Sequence, residues 1–232
     1  MLAVVENALS EAWRALLVEV ANGNFSICGA HEDTITEKLQ IILGELHATD
    51  PEVVPGYSEF SIGSRDSKLR SHDGEHLDRQ PDLTFYPLRG SIRATNSLLA
   101  GIFVECKPID SDHPIPSTYC KDGLIRFIQG DYAWAVDHAL MVGYVRNRCW
   151  LPDGLVHCRE KDVSARKYRF LGNLIALAPT SSGDAVYQST HERTFPLSLP
   201  AEPAGPITLH HLWLYPASIC ETSRCRGGIS GG

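Results

Sequence analysis

Apolar residues recur at intervals of three and four from the first residues onward. Leu9, Trp13, Leu16 and Val20, with Ala12 and Leu17 beside them, would share one face of an amphipathic helix. Asn22-Gly23-Asn24 ends it. A second helical pattern runs through Ile35, Leu39, Ile42, Leu43 and Leu46, capped by Asp33 or Thr34. Thr34-Ile35-Thr36-Glu37 has capping-box spacing, and Asp50-Pro51 marks the end. The pattern then changes. Residues 57–62 read as a strand, 64–79 as a polar loop, and 82–86 as a strand entered through Pro81. Residues 98–107 read as a further strand with an apolar entry, stopped by Pro108, and close enough to the previous one to form a hairpin. Helical spacing returns over 121–140, through Leu124, Phe127, Ile128 and Ala135, and 141–145 is a short buried strand. Residues 146–153 are a turn, 159–171 a basic helical stretch, and 185–189 and 207–214 two late strands. This order predicts an α/β fold, a central mixed sheet flanked by helices. One domain is expected over residues 1–226, with 227–232 as a frayed tail.

Composition narrows the class. The chain has 232 residues, 43% of them hydrophobic and 21% charged, which suits one globular core. No apolar run is long enough to cross a bilayer, so no membrane partner is expected. The charged residues Glu6, Glu11, Arg14 and Glu19 interrupt the first apolar pattern, unlike a secretory leader. Seven cysteines at irregular spacing predict reduced thiols and a cytoplasmic location. The net charge of −7 argues against a protein that coats nucleic acid, although clustered carboxylates can be neutralised by a divalent cation.

The chemistry concentrates on two segments. In Val104-Glu105-Cys106-Lys107 side chains alternate, so Glu105 and Lys107 share one face while Ile102, Val104 and Cys106 point to the other. Asp82 begins the preceding strand. Antiparallel pairing would set the start of one strand beside the end of the other and bring Asp82 to Glu105. Two such carboxylates repel unless a cation lies between them, and hard oxygen ligands suit Mg²⁺, with Mn²⁺ as a substitute. Lys107 would orient a water, stabilise charge developing on phosphate, or act as a base if its pKa were lowered. The plain alternative is a surface ion pair between Glu105 and Lys107, with Asp82 in a turn.

Gln80-Pro81-Asp82 followed by Phe103-Val104-Glu105-Cys106-Lys107 resembles the signature of the PD-(D/E)XK nuclease superfamily. The resemblance covers about residues 30–145. It implies a restriction-endonuclease-like core, with Asp82 and Glu105 holding metal and Lys107 catalytic. It further implies an acidic residue on the helix before the first core strand. Glu37 matches that role best, ahead of Glu32 and Glu45. The expected activity is Mg²⁺-dependent hydrolysis of phosphodiester bonds in DNA, or less favourably RNA, by a chain that pairs with itself or with partner subunits. The alternative is a catalytically inactive nucleic-acid-binding or assembly module that keeps the fold.

Other positions carry weaker signals. Arg126, Gln129 and Tyr132 lie on the helical stretch after the Lys-bearing strand and are candidates for binding substrate, while Gly123 and Gly130 mark close packing or a kink. Arg65, Lys68 and Arg70, and the run Arg159, Lys161, Arg166, Lys167 and Arg169, could meet phosphates or simply face solvent. His191, His210 and His211 invite a metal reading. Neighbours on a strand point to opposite faces, so His210 and His211 cannot serve one site. Cys220 and Cys225 are a poor metal pair. No convincing Ser/His/Asp order is present to suggest a serine hydrolase.

Overall fold

Helix α1 (Leu2–Ala21) buries Val5, Leu9, Trp13 and Leu16 as its spacing predicts. Helix α2 (Glu32–Thr49) packs beside it through Ile35, Leu39, Ile42 and Leu43. The computed structural model describes residues 1–61, 63–65, 68–75, 79–90, 92–146, 153–161, 166–197 and 202–216. The expected turn at 146–153 falls largely outside them, and the tail at 227–232, with Cys220 and Cys225, falls wholly outside.

The described strands are β1 (Leu83–Phe85), β2 (Ile102–Ile109), β3 (His138–Val145), β4 (Ile175–Ala176), β5 (Ala185–His191) and β6 (Ile207–Leu214). They form one mixed sheet in the order β1-β2-β3-β6-β5-β4. The β2–β3 and β3–β6 pairs are parallel and the others antiparallel. The pleat divides the core in two. Val104, Cys106, Leu140, Val142 and Leu212 face α1 and α2. Phe103, Ile109, Met141, Leu209 and Trp213 face the crossover that joins β2 to β3. The fold is therefore α/β, with helices on both faces of a mixed sheet.

That crossover is not the long helix that the spacing predicts over 121–140. It opens after Pro114 as a π-helical segment (Ile115–Leu124) and continues as α3 (Ile125–Gln129). Gly130 ends it in the left-handed conformation, φ +76°. A Cβ there would fall 2.7 Å from the Phe195 ring and 2.8 Å from His72, so a side chain is excluded on two counts. Residues 57–62 also differ from expectation. Tyr57–Glu59 is a 3₁₀ turn that buries Tyr57, and Phe60 makes an isolated bridge to Pro87.

Strand β2 runs through Pro108 instead of stopping there. Backbone N–H groups point to alternate edges, so Cys106 and Pro108 address the same side, that of β1. Strand β1 pairs only with residues 102–104. Beyond it the Cys106 N–H is taken by the Asp82 side chain, and Pro108 has no N–H to leave unpaired. Among the described cysteines, Cys106, Cys120 and Cys158 are thiols as expected, whereas Cys28 is disulfide-bonded.

Candidate active site

Asp82, Glu105 and Lys107 meet at the end of the short strand β1. Leu83 pairs with Val104, so the register carried one step back sets Asp82 opposite Glu105 on the same face of the sheet. Asp82 Oδ2 accepts the Cys106 N–H at 2.6 Å, which fixes the carboxylate at the strand edge. Lys107 Nζ lies 2.8 Å from Glu105 Oε1 and 3.8 Å from Asp82 Oδ2. It also donates to the Cys106 carbonyl at 2.8 Å.

A fourth group comes from α2, and it is Glu32. Its Oε1 accepts from Lys107 Nζ at 2.6 Å. Glu37, the favoured helix residue from the sequence, is exposed, so that assignment is corrected. The reason is helical phase. Ile35, Thr36, Leu39 and Leu43 form the buried face, and Glu32 lies on it, one turn before Thr36. Glu37 lies about 140° around the helix from Glu32 at 100° per residue. The helix begins earlier than expected because His31 is the cap, its Nδ1 accepting the Asp33 N–H, which brings Glu32 into the first turn. Thr36 then anchors the same face to Tyr144 through paired hydroxyls at 3.0 Å.

The crossover closes the cluster from the other side. Arg126 lies 3.0 Å from Glu105 Oε1, and the Tyr132 hydroxyl donates to Glu105 Oε2. Two of the three weaker candidates thus join the site. Gln129, the last residue of α3 before the left-handed Gly130, is exposed and does not join them. Gly123 allows the approach. A Cβ there would stand 2.9 Å from Met141 Cε, 3.2 Å from Lys107 Cγ and 3.4 Å from Glu105 Cγ. The π-helical segment therefore lies directly on the site-bearing strands.

Burial sets the electrostatics. Glu105 is fully buried, and its pKa is raised to about 7. Desolvation is the main cause and the Asp82 charge adds to it, against the opposing pull of Lys107 and Arg126. Glu32 is raised as well, by burial first, with Lys107 opposing. Burial works to lower Lys107, but Glu105, Asp82 and Glu32 together outweigh it and hold the ammonium charged. Lys107 is thus no general base in this arrangement. It is a fixed cation, 5% exposed, placed where three carboxylates converge.

The donor set is hard oxygen, which suits a small divalent cation. Glu105 Oε1, though ion-paired, has no aligned hydrogen-bond donor. A buried carboxylate oxygen with spare acceptor capacity fits a metal ligand. Asp82, Glu105 and Glu32 are the residues that would hold it. As the side chains stand, they close on Lys107, and among the described residues no group of three or more acidic, histidine or cysteine side chains is spread to hold an ion.

Beside Glu32 and Pro108 opens a cleft of about 480 Å³, lined also by His31, Asp110, His113 and Arg146. Asp110 accepts from the His113 and Asp112 N–H groups at 2.9 Å and pairs with Arg146 at 3.2 Å. Sequence reading passed over this pair. The clue available was a buried-strand end, Ile109-Asp110, followed by a lone Arg146 at the end of the next strand.

The remaining candidates lie elsewhere. Arg65 pairs with Asp33 at 3.2 Å, while Lys68 and Arg70 are exposed. In the basic run, Lys161, Arg166, Lys167 and Arg169 face solvent, and Arg159 bonds Asn173. His210 turns toward Glu6 of α1, and His211 is buried on the opposite face, as strand alternation requires. Comparison with protein-family models, with curated proteins and with solved structures gives no match to this chain. No described helix is long and apolar enough to cross a membrane.

Proposed function

We propose that this chain is a Mg²⁺-dependent nuclease with a restriction-endonuclease-like core, acting on phosphodiester bonds in DNA or, as the less favoured substrate, RNA. The supporting observation is the convergence of Asp82, Glu105 and Lys107, residues 25 positions apart at the extremes, into one pocket joined by Glu32. A bound Mg²⁺ would polarise a phosphoryl oxygen and acidify a water. The protein's own groups account for the rest. Asp82, Glu105 and Glu32 concentrate negative charge for the ion. Lys107 would present its ammonium to the phosphate where the ion balances the carboxylates in its place. Arg126, about one-third exposed at the mouth, presents a second cation to the same substrate. The adjoining cleft gives room for a neighbouring nucleotide.

Purified protein incubated with single- and double-stranded DNA and RNA, with Mg²⁺, Mn²⁺ or a chelator, tests the reading. Cleavage should need the cation. Asp82→Ala and Lys107→Ala should each lower it by about 100-fold or more, with the circular dichroism spectrum unchanged. Cation-dependent cleavage at wild-type rate in both variants would remove the site assignment.

A second reading is a non-catalytic nucleic-acid-binding or assembly module. The same geometry favours it in one respect: Lys107 and Arg126 already compensate most of the carboxylate charge. Calorimetry with Mn²⁺ separates the two. The nuclease reading requires binding that Asp82→Ala removes, and the alternative requires none.

A further inference from the structure

Cys120 lies on the π-helical segment and Cys158 on helix α4 (Asp153–Glu160). Their sulfurs are 3.7 Å apart, both are free thiols, and both are almost completely buried. Neither belongs to the ion cluster. The two elements are held in register by Gly154, where a Cβ would fall 2.8 Å from Ile115 Cδ1 and 3.2 Å from Ile115 Cβ. This close approach, one turn of α4 before Cys158, sets the thiols against each other.

We propose that Cys120 and Cys158 are a modification site, a dithiol that a peroxide converts to a disulfide. A disulfide needs sulfurs about 2.05 Å apart. Side-chain rotation and a small shift of α4 supply the difference. Two more observations fit the chemistry. The Cys120 thiol donates toward Cys158, which lowers the Cys158 pKa despite partial opposition from burial, with Lys161 assisting. Burial pushes Cys120 well up, so Cys158 is the more readily ionised thiol of the pair and the one that attacks. The Cys158 thiolate attacks one oxygen of hydrogen peroxide, the O–O bond breaks, and hydroxide leaves a sulfenic acid. The Cys120 sulfur then displaces the hydroxyl from Cys158, its proton leaving with that group as water. Two electrons pass from the sulfur pair to the peroxide. Cys120 stands three residues before Gly123, whose backbone rests on Lys107 and Glu105, so the bridge forms in the segment that covers the ion cluster.

The test is a non-reducing peptide map of the full chain after hydrogen peroxide, with free thiols alkylated on denaturation. The expected result is a linked Cys120–Cys158 peptide, two alkyl groups lost, and reversal by dithiothreitol. The bridge should persist in Cys106→Ser and vanish in Cys158→Ser. Oxidation in concentrated urea should lose the pairing specificity, since folding supplies the proximity. The proposal fails if both thiols stay fully alkylatable at a peroxide dose that oxidises other cysteines. It fails equally if Cys158 proceeds to sulfinic acid without bridging, or if the native and urea maps show the same pairing. Since the readout is covalent, it stands or falls independently of any nuclease activity.

Discussion

Of the acidic side chains on α2, one is attached to the cluster and one is not. Glu32 touches Lys107 at 2.6 Å, whereas Glu37 is exposed five residues later. Glu32→Ala should therefore weaken Mn²⁺ binding about 10- to 100-fold, and Glu37→Ala should leave it unchanged. Isothermal calorimetry on both variants measures this, and equal losses would mean that helix phase does not decide the role. The comparison also shows what the sequence made legible. Asp82, Glu105 and Lys107 could be brought together from strand alternation and one antiparallel pairing, because a period of two leaves no ambiguity of face. Glu32 was legible in principle, since it shares a face with Thr36, Leu39 and Leu43. A cap at Asp33 or Thr34, as the sequence suggests, would leave Glu32 outside the helix and Glu37 inside it. A histidine cap carries little sequence signal, so the starting point of α2 had to come from the structure. Arg126 and Tyr132 were legible only as polar residues on the right element, since nothing in their spacing says that they reach Glu105.

Elements set by regular periodicity were readable, and those shaped by close approach were not. Strand β6 has the bounds that its pattern predicts and helix α1 the predicted end, because each buries a repeated apolar face. The crossover does not, because its path depends on Gly123 and Gly130 fitting against particular neighbours. Glycine at these points reads in sequence as a helix weakener, without saying what comes near. The structure gives Gly123 a definite job, which a substitution can test. Its φ is unremarkable, so a larger residue is not barred by backbone conformation. The obstacle is the contact with Met141, Lys107 and Glu105. Met141 Cε can move, but Lys107 Cγ and Glu105 Cγ belong to side chains held by ion pairs. Gly123→Val should therefore cost about 1–3 kcal/mol by overpacking. It should also lower cation-dependent cleavage by displacing the two site residues. Chemical denaturation and the cleavage assay on one preparation check both effects. Full activity in a destabilised variant would show that the segment can lift away without disturbing the cluster.

Across the whole molecule, two buried titrating systems on the same face of the sheet pull stability in opposite directions. One is the ion cluster. The other is a neutral hydrogen-bond chain under β5 and β6. Tyr119 meets His211 Nδ1 at 2.9 Å, and Ser189 Oγ meets His211 Nε2 and His191 Nε2, each at 2.7 Å. His191 Nδ1 meets the Tyr168 carbonyl at 2.6 Å. That carbonyl can only accept, so His191 Nδ1 carries the proton and every other donor in the chain is fixed in turn: Ser189 to His191, His211 to Ser189, Tyr119 to His211. An added proton on either imidazole would displace the hydroxyl hydrogen donated to it and leave that hydrogen without its acceptor. Burial accordingly lowers His191 to about 4 and holds His211 well below its ordinary value, with the neighbouring His191 and His210 adding to the effect on His211. Between about pH 4 and 6.5 the unfolded chain binds a proton that folded His191 refuses, so stability rises with pH there and is complete above 6.5. The contribution is on the order of 3 kcal/mol. Glu105 has the opposite sign. Its folded pKa is raised from 4.5 to about 7, so its contribution is present below 4.5 and is lost as pH rises through 7. His211 refuses a proton over the same range, so in chelator the Glu105 slope opposes two histidine slopes over about pH 4.5 to 6.5, and the wild type still gains stability with pH there. His191→Asn keeps a donor for the Tyr168 carbonyl but removes one of the two histidine titrations, and it should flatten the profile over about pH 4.5 to 6.5, where His211 alone is left to offset Glu105. Urea denaturation at half-unit pH steps measures both profiles. If the variant instead kept the wild-type shape, the histidine chain would not be the counterweight to the carboxylate cluster.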